Sequence, residues 1–148
     1  MTGVQTCALP IYACMKVEAV PFEWINRLWP QIEPYIAEAV KYCDDYTVDQ
    51  IKTFVTQGMW LLVTLSDDNG LQGAGTINFF NRPNARVAFV TSVSGKFIST
   101  PEVLEQLKAL VVARGATELE GAVRESVARL FKQNFGFTEK YRIVGIKL

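Results

Sequence analysis

Along the chain the spacing of apolar residues switches between two and three-to-four, and each switch marks a predicted element. Lys16-Val17-Glu18-Ala19-Val20 alternates polar and apolar residues, as a short strand does. Phe22, Ile25, Leu28, Trp29, Ile32, Ile36, Ala39 and Val40 then recur three and four apart, the stripe of amphipathic helix. Trp24 and Trp29 share that spacing and read as core aromatics. Pro30 and Pro34 fall inside the stripe, which predicts a break near Trp29 and a second helix to about Tyr42. Thr47 is an N-cap for a further helix carrying Val48, Ile51, Phe54 and Val55 and stopped by Gly58. Met59 to Leu65 is a continuous apolar run of strand length. Asp67-Asp68-Asn69-Gly70 follows and ends in the Asn-Gly hairpin signal. It reads as a turn, because the spaced oxygen ligands and closing glutamate of a calcium loop are missing. Leu71 to Phe80 forms the return strand, Arg82-Pro83-Asn84 the next turn, and Ala85 to Val93 a third strand apolar enough to be central.

Strands and helices alternate in the last third. Ser99 is read as a helix cap, with Pro101 in the first turn and Glu102 completing a capping box. Val103, Leu104, Leu107, Leu110 and Val111 make the buried stripe, and Gly115 ends the helix. Thr117 to Val123 reads as a strand. Ser126 to Asn134 reads as a helix with Val127, Leu130 and Phe131 inward, and Tyr141 to Leu148 as a closing strand. The order predicts one α/β domain, a three-layer α+β sandwich whose mixed, twisted sheet has helices on both faces.

Composition narrows the function. The 148 residues are 49% hydrophobic and 20% charged, with 15 basic and 15 acidic side chains, so no basic footprint for nucleic acid is present. The absence of histidine removes Ser-His-Asp and Cys-His nucleophiles and histidine metal sites, and no metal is expected. No apolar run reaches the roughly 18–20 residues that cross a bilayer.

Residues 1–14 are set apart from the domain at 15–148. Thr2 to Ile11 resembles a translated sequencing adapter, and Met15-Lys16-Val17-Glu18 looks like the natural start. Without that segment Cys43 stands alone, which leaves no internal disulfide and fits a reducing, cytoplasmic setting.

The element order from Met15 onward, with Ala128-Arg129-Leu130-Phe131-Lys132-Gln133-Asn134-Phe135-Gly136-Phe137, resembles the GNAT superfamily of acyl-CoA-dependent N-acetyltransferases. The local match is to an Ala-x-x-Leu-Tyr-x-Lys-x-Gly-Phe helix ending. Ala128, Gly136 and Phe137 match it, and Phe131 replaces the leucine. Within the superfamily the chain looks most like short tailed-phage and prophage proteins. They share a Trp-Pro and Glu-Pro helix start, here Leu28 to Pro34, and a Glu-x-x-x-Arg segment, here Glu120 to Arg124, with Arg129 following.

The resemblance implies acetyl-CoA as cofactor, with its pyrophosphate on the turn into the helix after the central strand. The matching residues are Val93, Ser94, Gly95, Lys96, Ser99 and Thr100. This stretch has fewer glycines than the family's turn, and Glu102 adds a carboxylate where phosphate would sit. The tyrosine that serves the family as general acid is replaced by Lys132, a candidate proton donor if burial depresses its pKa, with an exposed charge on a helix face as its competing role. Glu120 at a strand end is a candidate base toward an amine, with pairing to Arg124 or Arg129 as its competing role. Tyr141 is a further candidate hydroxyl. Two classes stay open: an N-acetyltransferase with a degenerate cofactor loop acting on a small-molecule or protein amine, and a non-catalytic phage protein in virion assembly or host-protein binding. Neither implies nucleic acid or membrane, and either would work in the bacterial cytoplasm or with the virion.

Overall fold

A computed structural model describes residues 14–95, 97 and 100–148. β1 (Lys16–Ala19) leads through a short 3-10 turn (Phe22–Trp24) into α1 (Ile25–Val40) and α2 (Val48–Thr56). β2 (Leu61–Asp67), β3 (Gly70–Arg82) and β4 (Ala85–Gly95) form an antiparallel meander. α3 (Pro101–Val112), β5 (Glu118–Gly121) and α4 (Glu125–Phe135) complete the described elements. The sheet order is β1-β2-β3-β4-β5, antiparallel throughout except that β5 runs parallel to β4. The mixed sheet with helices on both faces is therefore as the order predicts.

Strand alternation divides the core between two layers. Leu62 and Ala74 pack with Ile32, Ile36, Ile51 and Val55 of α1 and α2. Val63, Leu65, Ile77 and Ala88 pack on the other face with Val103, Leu104, Leu107 and Val111 of α3. Phe131, Phe135 and Phe137 lie partly buried against that second layer, so α4 is on the α3 side.

Several local expectations are corrected. α1 is continuous through Pro30 and Pro34. Both prolines sit on its exposed face, where the carbonyls they leave unpaired can turn to water. Burial of Ile25, Trp29, Ile32 and Ile36 on the other face, each worth about 1.5–3 kcal/mol, offsets roughly 3 kcal/mol per proline. Trp29 is core, whereas Trp24 is 43% exposed with the Arg27 guanidinium 4.9 Å from its ring centre. The α3 cap is Thr100, whose hydroxyl accepts from Val103 N–H at 3.3 Å; Ser99, expected to cap, lies outside the described residues. Thr47 caps α2 as expected, in a reciprocal box with Gln50. Cys14 is disulfide-bonded, which a chain read from Met15 with only Cys43 did not anticipate; Cys43 is free.

The largest departure is at the end. Residues 138–148 form no strand, and Ile143 and Val144 are 82% and 92% exposed. A strand needs a partner's backbone groups, and alternation alone does not supply one.

Candidate active site

The parallel pair β4–β5 is short. Its register runs from Val87 opposite Glu118 to Val90 opposite Gly121, and β4 then continues to Gly95 beside β3 alone. The outer edge of β4 from Thr91 to Gly95 is consequently free of β5, and a notch opens between the two strands. It begins at a bulge: Thr76 faces Ser92 and Ile77 faces Val90, so Thr91 is an extra residue. Three hydroxyls fix it. Thr76 Oγ1 lies 2.7 Å from Thr91 Oγ1 and 2.5 Å from Ser92 Oγ, and the Thr91 hydroxyl donates to the Thr76 carbonyl at 3.1 Å. The bulge shifts the alternation, so that Val90 and Val93 both meet the α3 core although three residues apart.

Of the residues expected to receive a cofactor, Val93 and Ser94 are held in β4 opposite Gly75 and Ala74. Gly95 ends the strand with φ +78°, pressed against the Gln72 and Gly73 backbone. Lys96 and Ser99 lie outside the described residues. Thr100 is committed to capping. At the start of α3 Pro101 has no N–H, Val103 N–H is taken by Thr100, and Glu102 places a carboxylate in the first turn. Among the described residues, this helix end therefore has little left to offer a diphosphate.

The structure brings two of the three candidate catalytic residues together. Leu119 faces the α3 core, so alternation puts Glu118 and Glu120 on the opposite face of β5. There Glu120 Oε2 accepts from Arg82 Nη1 at 2.5 Å and from Lys140 Nζ at 3.1 Å. Lys140 Nζ also donates to Glu118 at 2.8 Å, and Arg82 Nη2 donates to the Tyr141 hydroxyl at 3.1 Å. The Arg82 hydrogen bond, helped by Lys140 and opposed by partial burial, lowers the Glu120 pKa to about 2. A carboxylate held so firmly ionised is a weak base. Lys132 stands apart on α4, ion-paired with Glu139 at 2.9 Å. Among the described residues it shares no hydrogen bond with Glu120 or Tyr141.

The expected partners of Glu120 are also corrected. Arg124 turns to the Tyr42 ring, 4.6 Å from its centre, and Arg129 pairs with Glu125 at 3.8 Å. Arg82 and Lys140 take their place. In the sequence Arg82 stands only as a turn residue. Its approach follows from the β3–β4 hairpin, which returns it opposite Ala85, two residues before the β4–β5 register begins.

Comparison with known proteins locates this architecture. No protein-family model matches the sequence, and no curated protein matches it. Solved structures do. An aminoglycoside acetyltransferase from an uncultured soil metagenomic sample, in complex with trehalose, superposes with TM-score 0.67 at 10% identity, covering 94% of this chain and 98% of that one. A ribosomal-protein-alanine N-acetyltransferase from Brucella melitensis biovar Abortus 2308 gives TM-score 0.64 at 14% identity over 91% and 99% of the two chains. The chain has the GNAT acetyltransferase fold. A predicted acetyltransferase from Clostridium acetobutylicum solved with acetyl-CoA superposes with TM-score 0.61 at 11% identity, over 90% of this chain and 96% of that one. Among the described residues no helix is long and apolar enough to cross a membrane.

Proposed function

We propose that this GNAT-fold chain is an acetyl-CoA-dependent N-acetyltransferase acting on an amine. The observation that carries the reading is the notch: the parallel register ends at Val90–Gly121 while β4 runs on to Gly95, so that among the described residues the β4 edge from Thr91 to Gly95 has no neighbouring strand. Such an edge offers backbone donors and acceptors to the amide-bearing arm of the cofactor. The described residues fit that arm and not the diphosphate, for want of free donors at the start of α3. When bound, the cofactor supplies an acetyl thioester. The chain's own residues hold and orient. Glu120, fixed by Arg82 and Lys140, acts electrostatically and not as a proton acceptor. The Tyr141 hydroxyl accepts from Arg82 and so keeps its own proton available to donate. Structural neighbours that are aminoglycoside and ribosomal-protein acetyltransferases support an amine acceptor.

A second reading, non-catalytic binding of a phage or host protein on the same scaffold, is favoured by one observation: Glu120 is neutralised by two cations. Calorimetric titration with acetyl-CoA and with free CoA separates the two. Saturable binding of both is expected under the catalytic reading. No binding at about 1 mM, a free energy weaker than roughly −4 kcal/mol, refutes the catalytic reading.

A further inference from the structure

The α1 side of the notch carries two cations that no acid answers. Tyr35 donates to the Leu71 carbonyl at 2.9 Å, which sets the later half of α1 over the end of the sheet where Gly95 faces Gly73. Tyr42 lies two residues past α1, and Arg124 three residues past the last β5 pair. Their side chains meet there. The Arg124 guanidinium is 4.6 Å from the Tyr42 ring centre, and Lys41 Nζ is 5.4 Å from it. Among the described residues neither cation makes an ion pair, although Asp44 and Asp45 follow Tyr42 closely in sequence. Two like charges on one ring repel each other, and the ring face offers their N–H groups no oxygen acceptor. An anion would answer both. The carboxylates of the same face are already engaged, Glu120 with Arg82 and Lys140, and Glu118 with Lys140. An acceptor with a second ammonium group therefore finds no unpaired carboxylate in that cluster, whereas an acceptor with a carboxylate finds two unpaired cations.

We propose, resting on the acetyltransferase reading, that the acceptor is a primary amine that also bears a carboxylate, in chemical class a free amino acid, and that Arg124 holds that carboxylate. The guanidinium fork can meet both carboxylate oxygens in parallel hydrogen bonds, and the Tyr42 ring stacked against it keeps the fork in place. Lys41 adds attraction on the same ring. The Arg124 side chain makes no cap hydrogen bond to α4, so binding costs the helix nothing. The ring belongs to the α1 layer, while α3, whose start a cofactor diphosphate would approach, packs on the opposite face. The pair therefore serves the acceptor and not the cofactor's phosphates. Transfer to such an acceptor forms an amide C–N bond and breaks the thioester C–S bond, and the proton lost by nitrogen ends on sulfur.

Thiol release from acetyl-CoA tests this with the standard L-amino acids, their C-terminal amides, spermidine and tobramycin as acceptors. At least one amino acid should exceed its own amide by about tenfold or more in kcat/KM, as loss of a charge-assisted pair implies, and neither polycation should approach it. Arg124→Gln should erase that preference by raising KM for the amino acid. The comparison of acid with amide uses the parent protein, so it decides even where the variant folds poorly. An amide or a polycation used as well as every amino acid overturns the proposal. Weaker binding of free CoA to Arg124→Gln in calorimetry also overturns it, because the cation would then hold a cofactor phosphate. If acetyl-CoA binds and no acceptor in the series is acetylated, the proposal falls and the acetyltransferase reading stands. If acetyl-CoA does not bind, the reading itself fails and takes the proposal with it.

Discussion

Gly95 closes the β4 edge of the notch, and replacing it with alanine separates two physical effects there. Its φ of +78° is in the left-handed region, where a side chain is strained by about 1–2 kcal/mol. A Cβ at this position would also lie 2.2 Å from the Gln72 carbonyl oxygen and 2.7 Å from Gly73 Cα. Both are backbone atoms of β3, so relief requires the strands themselves to part, adding about 1–3 kcal/mol. Gly95→Ala should therefore lose about 2–5 kcal/mol, or roughly 5–20 °C in Tm for a chain of this size. Two controls isolate the terms. Gly70 has φ +106° but no atom within 4 Å of its Cβ position, so Gly70→Ala should cost about 1–2 kcal/mol from strain alone. The Gly121 Cβ position has its nearest neighbour at 3.8 Å, so Gly121→Ala should change stability by less than about 0.5 kcal/mol. Urea and thermal unfolding of the three variants is the assay. Equal losses for Gly95→Ala and Gly70→Ala would refute the close approach of β3 to the notch.

The other expectations concern stability. Pro30→Ala restores a helix N–H on the exposed face of α1 and should stabilise the fold by about 1–3 kcal/mol; a loss of stability in urea unfolding would mean the proline is needed for packing. Glu120, held at about 2 from an ordinary 4.5, contributes stability that is present above about pH 4.5 and lost as pH falls toward 2. Allowing for solvent screening this is about 1–2 kcal/mol. Arg82→Gln should flatten that acid limb in pH-dependent unfolding, and an unchanged limb would show that Arg82 is not what holds the carboxylate.

Local chemistry wrote a good part of this structure into the sequence. The Thr47–Gln50 box, the α3 stripe and the alternation of the meander depend on residues within a turn or two of one another, and each is found where its pattern lies. From their order the mixed sheet and its two helical layers follow. Long-range packing decided the rest. Two prolines did not divide α1, because the buried face of a long helix outweighs hydrogen bonds lost on its wet side. The bulge at Thr91 moved Val93 onto the α3 face, and no local period marks where an extra residue enters a strand. Glu120 found Arg82, 38 residues away in sequence, because the hairpin register carried it there, while nearer arginines turned elsewhere. Tyr141 to Leu148 has the composition of a strand and, among the described residues, forms none, because strand formation depends on the edge that receives it.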